Sequence, residues 1–148
     1  MTIKNIHSII TNLHETMVEL EALLNEELNQ LKRPQINPVS LQLISDTKSR
    51  LLSKIKHYDE QRKTEEAFIA VKAPYRSHPL LAEQWQTVVK IVQESNRLHH
   101  EIAVHLEGHM IKNENLKKLF SQVSNNSLYH SDGQPESENK GKMYNITI

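Results

Sequence analysis

The sequence predicts an all-α fold, an antiparallel bundle of three long helices packed like a coiled coil, followed by a disordered carboxy-terminal tail. Three observations lead there. Apolar residues recur at steps of three and four over three long stretches, and proline-marked reversals separate those stretches. The composition, 37% hydrophobic with three Gly and two Phe in 148 residues, is lean for a compact globule but ordinary for helices packed along seams.

The first helix is read at 3–33. Its seam is Ile3, Ile6, Ile10, Leu13, Met17, Leu20, Leu24, Leu28 and Leu31, slipping once where Glu27 stands at the expected place and Leu28 takes over. Lys32-Arg33-Pro34 ends it with cations in the last turn and a residue that cannot continue the ladder. The second helix is read at 38–73. Asn37 is the expected N-cap, Pro38 fits the first helical position, and Ile36 is placed to staple onto Leu41. Its register is Leu41, Ile44, Lys48, Leu51, Ile55, Tyr58, Arg62, Glu65 and Ile69, turning polar towards the far end and making it the expected central packed element. A stretch with prolines at 74 and 79 makes the second reversal. The third helix is read at 79–123 through Leu81, Trp85, Val88, Val92, Ser95, His99, Ile102, Leu106, His109, Asn113, Leu116, Phe120 and Val123.

At 1.5 Å per residue these helices measure about 46, 55 and 67 Å, so the third outruns its partners by about 12 Å. That overhang carries an apolar stripe, Leu116, Leu119, Phe120 and Val123, with nothing in the same chain set to cover it. It reads as a docking surface for another protein, unless the tail or the first helix folds back over it or two chains pair through it. Residues 1–123 thus form the bundle and 124–148 a polar tail, too poor in apolar residues to bury a core. Within the tail the aromatic signal is Leu128-Tyr129-His130-Ser131-Asp132-Gly133. Tyr144, Ile146 and Ile148 alternate at the end, a weaker signal for a strand added to a partner's sheet.

Catalysis finds no support in the residues, so the chain is read as no enzyme. There is no cysteine, no nucleophile elbow and no Gly-rich phosphate cradle. Eighteen basic and eighteen acidic residues balance to zero net charge, leaving no global field to attract nucleic acid or an anionic membrane surface. The amino terminus has no signal-peptide pattern and no run is long enough to span a membrane, so a cytoplasmic chain is expected, its sequons accidental. Glu101, His105 and His109 share a helical stripe, read as a polar face and not a metal site. His100 and His105 stand five apart, about 140° around a helix, which rules out the zincin arrangement. Glu26-Glu27 and Glu65-Glu66 read as solvated carboxylates, Lys48 as a lysine that snorkels or, less often, pairs with a seam acid, and Trp85 as a core anchor.

Residues 41–52 and Glu60-Gln61-Arg62 in the second helix, with Leu128-Tyr129, Asp132-Gly133-Gln134 and a closing Ile-Thr-Ile in the tail, carry a likeness in their order and spacing. In these the chain resembles the FlgN-type flagellar export chaperones. The resemblance implies a cytosolic helical-bundle chaperone without cofactor, escorting the hook-filament junction proteins FlgK and FlgL to the flagellar type III export apparatus. It implies cargo binding at Leu116, Leu119, Phe120 and Val123, and docking to export gate and ATPase components through Leu128, Tyr129, Asp132 and Gly133. His130 stands where such tails often carry Gly. The reading from a different class is a structural coiled-coil adaptor with no cargo cycle.

Overall fold

The computed structural model describes residues 3–112 together with Ser121. Among the described residues the order is α1 (Ile3–Leu31), α2 (Pro38–Ile69) and α3 (Pro79–Lys112), with no strand. The all-α antiparallel bundle expected from the heptads is thus the observed architecture.

Each reversal is set by local chemistry. The Asn37 side-chain oxygen accepts from the backbone N–H groups of Val39 and Ser40 at 3.1 and 3.2 Å, and Pro38 occupies the first turn, where a missing N–H costs nothing. Two helix ends come earlier than the sequence suggested, α1 at Leu31 instead of 33 and α2 at Ile69 instead of 73. The reason in α1 is a tightened final turn, Arg33 N–H donating to the Gln30 carbonyl at 3.2 Å. In α2 it is Ala70, which turns left-handed at φ 56°. The described part of α3 ends at Lys112.

The packing makes α1, not α2, the central element. α1 packs against both other helices, while no Cα of α2 comes within 8 Å of one in α3. Sequence supports that place: besides the seam, Ile9, Thr16 and Gln30 are buried and Leu23 partly so, a second row at steps of seven residues. Gln84 of α3 donates to the His7 carbonyl and the Thr11 hydroxyl at 3.2 and 2.8 Å, which aligns the starts of α1 and α3 and makes them parallel.

Burial corrects the reading of Glu27 and Glu65 as solvated carboxylates, and it decides between the two readings of Lys48 in favour of a pair with a seam acid. Lys48 does not snorkel: it is 0% exposed and donates to Glu27, 1% exposed, at 2.9 Å. Glu27 therefore keeps its seam position, and the slip in the α1 register is a charge matched from α2. Glu65 is also buried, and Glu66 is engaged, accepting from Arg62 at 2.8 Å and from the Ala73 N–H at 2.9 Å. Of those four carboxylates only Glu26 stands exposed.

The far end of α2 is closed by a polar and aromatic cluster. Arg62, fully buried, donates to Asp59 through Nε and Nη2 and to the Tyr75 hydroxyl at 3.1 Å. Its guanidinium lies 4.4 Å from the Trp85 ring centroid, and Tyr75 meets Trp85 edge-on. Burial disfavours the Arg62 cation, yet the hydrogen bonds to Tyr75 and Asp59 outweigh it and hold its pKa above the ordinary value. Burial also pushes the Tyr75 phenol well above its usual range, against the pull of the Arg62 hydrogen bond. The cluster is therefore a charged guanidinium and a neutral phenol throughout the physiological range.

The buried pair generates a test of register. Lys48→Met and Glu27→Leu should each cost about 3–5 kcal/mol, because each strands a buried charge, whereas the double substitution should recover most of that loss. Urea denaturation of the three variants measures it, and near-neutral single variants would show that the pair is solvated.

Candidate partner-binding groove at the end of the bundle

α3 buries Leu98, His99, Ile102 and Leu106 against the bundle, with His109 half-buried behind them. His109 Nε2 meets the carbonyl oxygen of Leu31 at 2.6 Å, and because a carbonyl only accepts, the ring nitrogen donates. Leu31 is the last residue of α1, so this bond takes up one of the carbonyls left open at a helix end. It also marks the level at which α1 stops covering α3. Two residues on, Ile111 is 79% exposed.

A groove of about 340 Å³ lies at this level, lined by Leu31, Lys32, Arg33 and Pro34 on one side and by Val104, His105, Gly108, His109 and Lys112 on the other. Val104, Gly108 and Ile111 follow one another at i, i+4 and i+7, so they share a face of α3. All three are exposed, and among the described residues no neighbour outside this stretch of helix lies within 4 Å of where a Gly108 side chain would begin. The row is apolar with a notch at its centre, and the exposed Glu107 flanks it on the side away from the groove. Its rim is cationic, for Lys32, Arg33 and Lys112 line it and no carboxylate does among the described residues. A second apolar patch sits at the far end of α2, where Phe68 is 64% exposed beside Lys63, Thr64 and Ala67.

The residues singled out for cargo binding, Leu116, Leu119, Phe120 and Val123, lie outside the described residues, as do Leu128, Tyr129, Asp132 and Gly133 in the tail. The stripe considered for metal is engaged otherwise: Glu101 pairs with Arg97, and His109 with Leu31. Arg97 also takes Glu94, whose carboxyl is held below its ordinary value by the hydrogen bond from Arg97. Among the described residues no three metal-ligating side chains come together. The sequence reading missed the groove. Its signal was the Val104, Gly108, Ile111 row, which lies off the heptad seam, and the cations of the first turn, taken only as a stop signal.

The sequence pattern of the family described as FlgN protein matches residues 1–137. The flagella synthesis protein FlgN of Salmonella typhimurium is 26% identical over 133 residues, covering 90% of this chain and 91% of that protein. The protein of the same name from Yersinia enterocolitica is 26% identical over 135 residues, 90% of each chain. That of Escherichia coli is 22% identical over 134 residues, 90% of this chain and 91% of its own. No solved structure matches.

The open notch at Gly108 makes a prediction for the free chain. With space for a methyl group and a helical backbone, Gly108→Ala should raise stability by about 0.5–1 kcal/mol. Thermal unfolding measures it, and a lower midpoint would mean that something closes over Gly108 in solution.

Proposed function

The chain belongs to the FlgN family, and from that premise we propose that it is a non-catalytic cytoplasmic chaperone of flagellar export. Its cargo is the hook-filament junction proteins FlgK and FlgL, which it keeps from assembling early and delivers to the export gate and its ATPase components. The observation that carries the reading is the end of α1 at Leu31, level with His109, while the heptad register of α3 continues in the sequence through Leu116, Phe120 and Val123. Apolar residues on a seam whose partner helix has ended need a cover from another source.

In this mechanism the assembly-prone helices of the cargo lie along Leu116, Leu119, Phe120 and Val123, supplying the missing side of the seam. Each large apolar side chain removed from water contributes about 1.5–3 kcal/mol, so a four-residue stripe suffices for specific holding after ordering costs. The tail acts separately. Leu128, Tyr129, Asp132 and Gly133 meet the export machinery, with Tyr129 as the anchor, since it is the one aromatic between Ser121 and Met143.

Phe120→Asp, with Leu116→Asp as its companion, should abolish binding of purified junction protein in calorimetry while far-UV helicity and the thermal midpoint change little. Unfolding by either substitution would place the stripe in the bundle core and remove its cargo role.

Tyr129→Ala should leave folding and cargo affinity intact but lower secretion, with cargo accumulating in the cell bound to the chaperone. Secreted and cytosolic cargo measured side by side decides it, and normal secretion would end the anchor role.

A further inference from the structure

The groove between the first turn and α3 is unexplained by the stripe further along the sequence. From its shape and charge we infer that it seats an acidic amphipathic helix of the protein cargo. The apolar side of that helix lies on Val104 and Ile111, its backbone approaches at Gly108, and its carboxylates meet Lys32, Arg33 and Lys112. The inference rests on the chaperone reading for the identity of the partner and adds a second contact surface to it.

Charge supplies the first argument. The chain as a whole is neutral, with 18 residues of each sign, so a rim carrying three cations and no carboxylate is a local segregation. Four cations elsewhere are drawn into pairs, Lys48 with Glu27, Arg62 with Asp59 and Glu66, Lys63 with Asp59, and Arg97 with Glu94 and Glu101, while unpaired ones such as Lys54 and Lys90 are dispersed along exposed helix faces. Lys32, Arg33 and Lys112 have no ion-pair partner among the described residues. Cations after a helix end offset its dipole, which accounts for Lys32 and Arg33 but not for the apolar row opposite them.

Shape supplies the second. Val104 is 58% and Ile111 79% exposed, an unusual placement for branched apolar side chains one turn either side of a glycine. A side chain begun at Gly108 would meet nothing within 4 Å among the described residues, so none of them requires a glycine there. A glycine that leaves a notch between two apolar side chains admits the backbone of an incoming helix. The occupant that matches all of this is apolar along one side with acidic flanks.

The test uses the full chain and purified junction protein in titration calorimetry at two salt concentrations. Lys32→Glu combined with Arg33→Glu should weaken binding about tenfold or more at low salt, with the gap narrowing near ~1 M, where charges are screened beyond about 3 Å. Gly108→Trp, which fills the notch, should weaken binding at both salt concentrations. Lys54→Glu, exposed on the outer face of α2, should change nothing. Both groove variants alter exposed side chains, and circular dichroism confirms that they fold. Unchanged affinity in them, with the wild type binding normally, overturns the groove and leaves the chaperone reading standing. Failure of the wild type to bind overturns both. If charge reversal instead alters the sedimentation of the free chain, the occupant is a second copy. If it tightens cargo binding, the occupant is the chain's own acidic segment at 132–138. Either result also overturns the proposal.

Discussion

Glu27 and Lys48 are withdrawn from water together, and neither charge is tolerable at that depth without the other. This gives the pairing of α1 and α2 a single register. Sliding α2 by one heptad would set Glu27 opposite Leu41 or Ile55, both buried and apolar, and would leave Lys48 among leucines. Apolar seams alone tolerate such slips, since one leucine layer resembles the next. With that register fixed, Leu31 comes to rest at a defined height, the turn at 32–37 follows it, and His109 reaches the last carbonyl of α1. The position of the groove is therefore a consequence of one ion pair four residues inside the end of α1.

The opposite end is held by different means. α2 and α3 stand too far apart for backbone-close packing, and the space between them there takes the three largest fully buried side chains, Trp85, Arg62 and Tyr75. The Arg62 side chain is long enough to cross that gap, touch the Trp85 face and still reach Asp59 and Glu66. Tyr75 enters from the turn with its backbone left-handed at φ 61°, a conformation an aromatic residue holds only where the surroundings compensate. Here compensation comes from burial, the edge contact with Trp85 and the bond from Arg62. The bundle thus places its buried ion pairs towards its two ends, while the polar residues buried near its middle include the uncharged Thr16 and Ser95.

The sequence disclosed the seams well because periodicity is a property of position alone. Leu41, Ile44, Leu51 and Ile55, and Leu81, Trp85, Val88 and Ile102, are buried as the heptads require. Even the polar seam positions Lys48, Arg62, Glu65, Ser95 and His99 are inside. What the pattern lacked was partner identity. A glutamate on a leucine seam reads as an interruption until the lysine that meets it is known, and that lysine lies 21 residues away on another helix. The central place of α1 was hidden for a similar reason, since its second buried row includes Thr16 and Gln30, which polarity alone assigns to solvent. Tyr75 was out of reach because turn residues carry no periodicity. The groove was out of reach because half of it is built from a turn, and the other half from residues that break the seam instead of following it.

The finite length of α1 joins the fold to the function. α1 and α3 start level, where Gln84 meets His7 and Thr11, and run parallel at the same rise per residue until Leu31 meets His109. Each residue of helix adds about 1.5 Å, so α1 has no side chain to offer any apolar position that α3 places further along. The turn that follows α1 gives Lys32, Arg33, Pro34 and Gln35 before Ile36, and these cannot extend an apolar seam. Stopping α1 at Leu31, with its last carbonyl taken by a histidine instead of by further helix, leaves the exposed Ile111 beyond the reach of α1 and sets Lys32 and Arg33 beside the point of departure.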